Sequence, residues 1–205
     1  FYASVLFEFD RTINKVSVSD NAIGLDYKSD GLYTDNNGNI CGSPKYYRKS
    51  QKKLARLQRQ LSRKEKGSNN RNRARIKVVR LQKHTANQRL DFLHKKSTEI
   101  TNQYDVVCVE NLDMKNMSNK GFGNGKATLD NGYGMFLTML DYKLADRRKH
   151  FIKVDKWYPS SQICYACGRQ HKEMKNLSVR QFVCDCGYSN DRDINAALNI
   201  KREGL

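Results

Sequence analysis

Four of the six cysteines lie in two close pairs near the C-terminal end of the sequence. Cys164 and Cys167 form a Cys-x2-Cys pair, and after sixteen residues Cys184 and Cys186 form a Cys-x-Cys pair, one residue shorter than usual. A glycine follows each pair, so each can form a turn that presents two thiolates to one ion. The segment is too short to build its own core, and the spacing therefore predicts a structural zinc site. Disulfides are the alternative, and His171 is predicted to be a surface residue.

Three acidic residues lie where predicted strands or helices begin or end. Asp26 lies in the first core strand, Glu110 follows the apolar run 106–109, and Asp193 begins the last predicted helix. A carboxylate directly after a fully apolar strand is unfavourable unless a positive charge compensates it. Two magnesium ions about 4 Å apart would do so, and they could activate water for phosphodiester hydrolysis. The alternative is that the three acids are helix caps and strand-end surface residues.

Asp191 competes with Asp193 for the third position in this set. Two positions on a helix differ by about 200° in direction, so both side chains cannot serve equally. Asp193 shares a helical face with the apolar residues that would pack on a sheet. We therefore expect Asp193 to be the metal ligand and Asp191 to cap the helix.

The positive charge of the chain is confined to one segment. Residues 45–96 hold 19 lysines and arginines against only two acids, Glu65 and Asp91, and so account for the whole formal charge of +17. A long strip of one sign favours a polyanion, which binds by releasing condensed counterions. A solvated helical face is the alternative, and the longest apolar run, 106–109, is far too short to cross a membrane.

Alternation and helical periodicity predict an α/β or α+β layered fold. Strands are expected over 2–9, 22–27, 31–33, 40–42, 106–109 and 150–157. Helices are expected over 45–64, 71–103, 133–149 and 193–202. Residues 115–131 are rich in Gly, Asn and Lys and are predicted to be a mobile loop.

The first two predicted helices should form an antiparallel hairpin. Apolar residues lie on one stripe of the first helix, at Tyr47, Leu54, Leu57 and Leu61. The second helix has a heptad-like seam at positions 76, 79, 83, 86, 90, 93, 97 and 100. The stripes are expected to face each other, with the arginines directed outward.

Several blocks along the chain resemble the TnpB (OrfB) proteins of bacterial insertion sequences. These blocks, in order, are LSRKEKGSNN at 61–70, ANQRLDFLHK at 86–95, VENL at 109–112, KVDKWYPSS at 153–161 and DRDINAALNI at 191–200. The match covers nearly the whole chain. Two departures are the pair Tyr27-Lys28, where the family often has a glycine two residues after the first acid, and the Cys-x-Cys pair.

This resemblance implies an RNase-H-like (RuvC) mixed sheet with a basic helical insertion, a zinc ribbon and RNA-guided DNA cleavage. The catalytic acids would be Asp26, Glu110 and Asp193, with magnesium, and the zinc ligands would be the four paired cysteines. Expected boundaries are 1–17 for the end of a preceding strand-rich domain, 18–156 for the nuclease core with its insertion at 45–103, 157–190 for the ribbon and 191–205 for the closing helix.

The expected partners are DNA and guide RNA in the bacterial cytoplasm, near the nucleoid, and no membrane. Since the chain opens at Phe1 in an alternating run, we expect a piece of a longer protein whose missing N-terminal part makes most guide contacts. Tyr165, Tyr188 and Phe182 could stack on bases of a single strand, or could only pack the ribbon. A non-cleaving nucleic-acid-binding accessory of a transposon and a strand-joining transposase are the alternative functions.

Overall fold

A computed structural model describes residues 3–6, 8, 17–18, 21–119 and 125–205 of the chain. The strands in these ranges are β1 (Ala22–Tyr27), β2 (Gly31–Asp35), β3 (Ile40–Gly42), β4 (Val106–Glu110), β5 (His150–Val154), β6 (Gln181–Val183) and β7 (Ser189–Asp191). The α-helices in the same ranges are α1 (Tyr46–Ser62), α2 (Asn69–Gln103), α3 (Met114–Met117), α4 (Gly125–Asn131), α5 (Tyr133–Asp146) and α6 (Arg192–Gly204). Within these ranges no helix is long and apolar enough to span a bilayer.

A five-stranded mixed sheet, in the order β3-β2-β1-β4-β5, forms the centre of the molecule. The chain first makes antiparallel pairs, β1 with β2 and β2 with β3, and the hairpin predicted over residues 31–42 is confirmed. At its turn the Asp35 carboxylate accepts the backbone N–H groups of Asn37 and Asn39, each at 2.9 Å, and Gly38 has φ +85°. The strand β4 then pairs in parallel with β1, and β5 pairs in parallel with β4.

The two faces of the sheet bury different side chains, as the period-2 geometry of strands requires. Ile23, Leu25, Val107 and Val109 lie in a large apolar cluster with residues of α2 and α5. Their even-numbered neighbours in β1 and β4 face α6, where Ala22, Val106 and Cys108 pack with Ile200. Helices thus cover both faces of a mixed sheet, and the predicted layered α/β class is confirmed.

The predicted helical hairpin is confirmed in α1 and α2, which pack against each other. Ser68 caps α2 by accepting the backbone N–H of Arg71 at 3.2 Å, and Gly67 turns the chain with φ +86°. The start of α1 is capped from a distance, because the Asp130 carboxylate in α4 accepts the N–H groups of Tyr47 and Arg48. Leu54 is buried and the rest of the predicted stripe on α1 is half-buried.

The heptad-like seam predicted along α2 is wrong over the first half of that helix. Ile76, Val79 and Leu90 are exposed, whereas Val78 and Thr85 are buried. In the second half Leu93, Ser97 and Ile100 are buried, as predicted. In the part of the chain that the structure describes, the 35-residue helix packs mainly on α1 and α5, so different parts of it present different faces to different partners.

The predicted mobile loop over 115–131 is also wrong, because α3 and α4 occupy much of it; residues 120–124 lie outside the described ranges. Of the strand predicted over 2–9, residues 3–6 and 8 are exposed and outside any strand, and the others are not described.

Two predicted elements end earlier than expected. The helix α5 ends at Asp146 because Arg148 adopts a left-handed conformation with φ +53°. The strand β5 ends at Val154 because the Asp155 side chain accepts the backbone N–H of Trp157 at 2.7 Å and turns the chain.

Gly24 sets the distance between β1 and α6. A Cβ atom at this position would lie 2.8 Å from the backbone nitrogen of Lys201, and closer still to the carbonyl oxygen of Ala197. Since both contacts are with backbone, α6 can cross the sheet here only over a glycine.

We predict that Gly24→Ala lowers the free energy of unfolding by about 3 kcal/mol, because α6 must move off the sheet. Urea unfolding followed by circular dichroism measures this effect. Gly42→Ala is the matched control, since a Cβ at this β3 residue meets nothing within 4 Å. Equal stability of the two variants would contradict this role of Gly24.

Candidate active site and metal cluster

Asp26 and Glu110 lie next to each other on neighbouring parallel strands. The register pairs Leu25 of β1 with Val109 of β4, so the two acids are the next residues along each strand. Both continue the even-numbered series that faces α6. The run of buried apolar residues ends at both positions, and each side chain is half-buried at the carboxyl edge of the sheet.

Asp193 approaches the same edge from the first turn of α6. Asp191 caps this helix, as predicted, because its carboxylate accepts the backbone N–H groups of Asp193 and Ile194 at 2.8 and 3.3 Å. The Asp191 carboxylate is therefore engaged with the helix terminus, whereas that of Asp193 faces the strands. The close crossing at Gly24 keeps this turn of α6 near Asp26.

The electrostatics of Asp26 reflect a crowded, poorly solvated group of acids. Burial raises the pKa of Asp26 well above its usual value, and the negative charges of Glu110 and Asp193 raise it further. The positive charges of Arg192 and Lys28 lower the same pKa by smaller amounts.

Glu110 has its own direct partner in Ser160. Burial raises the pKa of Glu110, and the hydroxyl of Ser160, which donates a hydrogen bond to Oε1 at 2.5 Å, opposes this rise. Ser160 is buried, so it fixes the direction of the Glu110 carboxylate. No local pattern could have indicated this contact, because 50 residues separate the two positions.

A lysine neutralises Asp193. Lys28 Nζ lies 2.8 Å from Asp193 Oδ2, and both side chains are only about one-fifth exposed. Lys28 belongs to the Tyr27-Lys28 departure noted in the sequence, and it places a cation against the third acid. The three carboxylates share one edge but are not closed into a single cluster: among the described residues, only the cysteines bring three or more ligand atoms within 4.8 Å of one another.

The four paired cysteines converge as predicted and could hold a metal ion such as zinc. Cys164 Sγ lies 3.7 Å from Cys186 Sγ, and Cys167 Sγ lies 3.6 Å from Cys184 Sγ. Each pair precedes a glycine with positive φ, Gly168 at +76° and Gly187 at +89°. These separations suit four sulfurs around one tetrahedral ion, and all six cysteines of the chain are free thiols here.

His171 is not the surface residue that the sequence predicts. It is only 8% exposed, and its Nε2 lies 3.2 Å from Cys184 Sγ while Nδ1 lies 2.9 Å from Glu173 Oε1. If the cysteines held a metal ion, a ring between Cys184 Sγ and a carboxylate would orient that sulfur toward the ion. A histidine between two cysteine pairs is the signal that could have indicated this contact.

The aromatic residues of the cysteine-rich segment divide between packing and exposure. Phe182 is fully buried against Cys164, Met174 and Cys184, so it only packs the segment. Tyr188 packs on the edge of this cluster, whereas Tyr165 is 38% exposed. Tyr165 therefore exposes ring surface that a base could contact, whereas for Phe182 the packing alternative is confirmed.

Asparagines of α6 connect the cysteine cluster to the helix that bears Asp193. Asn195 is fully buried; its Oδ1 accepts the backbone N–H of Tyr165 at 3.1 Å, and its Nδ2 donates to Ile163 O at 2.8 Å. Asn199, also fully buried, donates to Ser160 O at 2.9 Å. Two asparagines of α6 thus hold the chain segment that carries Ser160 and Cys164.

The basic segment forms an exposed surface on the helical hairpin. Sixteen of its 19 lysines and arginines are exposed, and the exceptions are Arg71, Arg89 and Lys96. The outward direction predicted for the arginines is therefore confirmed except at Arg71 and Arg89, which donate hydrogen bonds to the backbone carbonyls of Leu61 and Leu129.

Family models and individual proteins that match this chain have related descriptions. A family model described as "Probable transposase" (OrfB, IS605) matches residues 4–121, and one described as "Cas12f1-like, TNB domain" matches residues 133–200. A Streptomyces pristinaespiralis protein named "Putative RNA-guided DNA endonuclease" is 37% identical over 205 residues, which are 100% of this chain and 50% of that protein. InsQ of Escherichia coli K12, with the same description, is 36% identical over 204 residues, covering 92% of this chain and 50% of InsQ.

Solved structures show a similar fold at low sequence identity. The chain aligns with the protein of a Cas12f1–sgRNA–target DNA complex with a TM-score of 0.60 at 19% identity, covering 93% of this chain and 52% of that one. A CRISPR–Cas12f ternary complex gives a TM-score of 0.57 at 20% identity, covering 95% of this chain and 40% of that one. The chain spans about half the length of the curated relatives it matches.

We predict that the purified chain carries about one tightly bound metal ion, because four thiolates close a tetrahedral site. Cys167→Ser and Cys186→Ser should each lose this ion in elemental analysis, and both should unfold more easily. Cys41→Ser is the control, since Cys41 lies in β3, outside the cluster. Mass spectrometry that finds disulfides among the four cysteines, with no bound metal, would refute the prediction.

Proposed function

This chain belongs to the IS605 OrfB (TnpB) family, and we propose that it is the catalytic C-terminal part of a transposon-encoded, RNA-guided DNA endonuclease. Its reaction is the metal-dependent hydrolysis of DNA phosphodiester bonds. The observation that carries this proposal is the position of Asp26, Glu110 and Asp193, which reach one edge of the sheet from three different elements. The mixed sheet with helices on both faces supports an RNase-H-like (RuvC) core.

The donor set of the acids fits hard divalent cations. Three carboxylates, two of them with pKa values raised by burial, form a site that a divalent cation can neutralise. Asp26, Glu110 and Asp193 would hold two magnesium ions, which when bound supply an activated water and stabilise the leaving oxygen.

Residues around the acids support this role in separate ways. Ser160 orients the Glu110 carboxylate toward the edge of the sheet. Arg192 and Lys28 favour the ionised form of Asp26 by lowering its pKa. Lys28 also holds Asp193 by an ion pair, so Asp193 has to exchange an ammonium group for a metal ion.

We propose the domain boundaries that the sequence predicts. The nuclease core spans 18–156 with its insertion at 45–103, the zinc ribbon spans 157–190 and the closing helix spans 191–205. Four thiolates leave no open position for water, so the zinc is structural. The contacts of Asn195 and Asn199 support a ribbon that is fixed beside the catalytic edge.

The exposed basic surface of the hairpin suits the phosphate backbone of nucleic acid. The Cas12f1 complex contains an sgRNA and target DNA by its description. For the full-length protein we propose the same classes of partner, with a guide RNA that reads the DNA sequence by base pairing and this surface in contact with the backbone.

We predict that Asp26→Asn, Glu110→Gln and Asp193→Asn each reduce cleavage of target DNA below about one-thousandth of the parent rate, a loss of about 4 kcal/mol in barrier lowering. The assay uses the full-length protein with its RNA, and guided DNA binding should be unchanged. Each variant removes one negative ligand atom at nearly constant volume.

Asp191→Asn is the matched control, because it changes the helix cap but not the metal ligands. It should cut DNA at close to the parent rate, since asparagine also caps helices. Loss of cutting in Asp191→Asn with normal cutting in Asp193→Asn would refute the third assignment. Normal cutting by all three acid variants would refute the proposed acid site. A parent protein that binds but does not cut would leave a nucleic-acid-binding accessory, and joined strands without retained RNA would indicate a strand-joining transposase.

A further inference from the structure

Trp157 is the one tryptophan of the sequence, and it is displayed on the surface. Its side chain is 80% exposed, although tryptophan is usually largely buried. Lys156 Nζ lies 4.7 Å from the centroid of the indole ring, so a cation accompanies the aromatic face. The position of Trp157 is unusual because residues on both sides of it contact Glu110.

The segment that carries Trp157 is attached to Glu110 at both ends. Val154, three residues before Trp157, is the register partner of Glu110 in the sheet. Ser160, three residues after it, donates a hydrogen bond to the Glu110 carboxylate. Because consecutive Cα atoms are 3.8 Å apart, the Cα atom of Trp157 lies within about 11 Å of those of Val154 and Ser160.

The segment is also held in one conformation. The Asp155 side chain accepts the backbone N–H of Trp157 at 2.7 Å, and the Asp155 carbonyl oxygen accepts that of Tyr158 at 3.1 Å. Tyr158 packs against the buried cluster between the sheet and α6. Because Tyr158 is packed inward, the indole of Trp157 points to solvent, and the backbone contacts hold it at a fixed distance from the acids.

We infer that Trp157 is a stacking platform for an unpaired base of the strand that is cut at Glu110. An exposed indole face accepts any base, but only one that has left the duplex, and the adjacent Lys156 suits the phosphate beside it. Ser160 contacts the Glu110 carboxylate, so the indole lies within about 20 Å of that carboxylate once the reach of both side chains is added. Since a stacked strand advances about 3.4 Å per nucleotide, the base lies within about six nucleotides of the scissile bond. The position relative to the cut rests on the proposed function; the binding of the base does not.

The single tryptophan makes the contact directly measurable. A 12-nucleotide oligo-dT strand is titrated into this 205-residue chain, with binding followed by polarisation of a dye on the strand. Tryptophan emission should fall by at least about half, with the same midpoint as the polarisation change. A strand with the same phosphates but abasic sites should still bind through its charge and leave the emission nearly unchanged.

Equal quenching by both strands, unchanged emission at saturation with oligo-dT, or no binding of oligo-dT would each overturn the inference. Variants separate stacking from charge: Trp157→Ala should weaken oligo-dT binding by roughly 5- to 100-fold, and Trp157→Tyr by less than about threefold. Leu177→Ala, at a ribbon residue that is 70% exposed, is the control and should bind like the parent. Equal weakening in Trp157→Tyr and Trp157→Ala would contradict stacking.

The outcome is independent of catalysis. In the Asp26→Asn background the quenching by oligo-dT should persist, because the indole and not the acid contacts the base. DNA cleavage that persists after substitution of the acids would refute the proposed catalytic site while leaving the stacking role of Trp157 intact. Conversely, an active nuclease with unquenched tryptophan would refute only the role of Trp157.

Discussion

The repulsion between two carboxylates at the ends of adjacent parallel strands is the constraint on which the proposed site depends. Asp26 and Glu110 are next to each other because β1 and β4 pair in register, and both face α6 because strand residues alternate. Burial prevents water from screening their charges, so their pKa values are raised. Folding would be more favourable with neutral residues here, as is common where stability is given up for function.

The helix α6 couples this anionic edge to the cysteine cluster. One of its faces lies over Gly24 and carries Asp193 toward the strands, and Asn195 and Asn199 bind the backbone that leads to Cys164. Ser160, in the same segment, orients Glu110. A metal ion at the cysteines would therefore order the surroundings of two of the three acids, although it lies in a different part of the fold.

Local patterns predicted those parts of the molecule that local forces determine. The turn at Asp35–Asn39 and the cap at Asp191 follow from side-chain geometry within a few residues, and the structure has both. The cysteine spacing likewise predicted the convergence of four sulfurs.

Features that depend on distant contacts could not be predicted in this way. The buried face of α2 changes along its length because α1 and α5 contact different parts of it, so a single heptad repeat failed at Ile76 and Val79. The helix α4 forms in a Gly- and Asn-rich segment and provides Asp130, which caps α1 across 83 residues. The pairing of Lys28 with Asp193 spans 165 residues and had no local signal.

Divalent-ion binding at the acids is tested most directly by comparing the unfolding of the parent chain with that of Asp26→Asn, in chelator and then in manganese. The folded-state pKa of Asp26 lies above its unfolded value of 3.8, so ionisation of Asp26 destabilises the fold as the pH rises through that folded-state pKa. In chelator at pH 8, Asp26→Asn should therefore be the more stable protein, with the difference shrinking toward pH 4.

Manganese should reverse this order. At 100 times its Kd it should stabilise the parent by about 2.7 kcal/mol, and Asp26→Asn by much less. A parent chain whose urea midpoint does not change with manganese, or an Asp26→Asn variant that gains as much as the parent, would contradict a cation site built on Asp26.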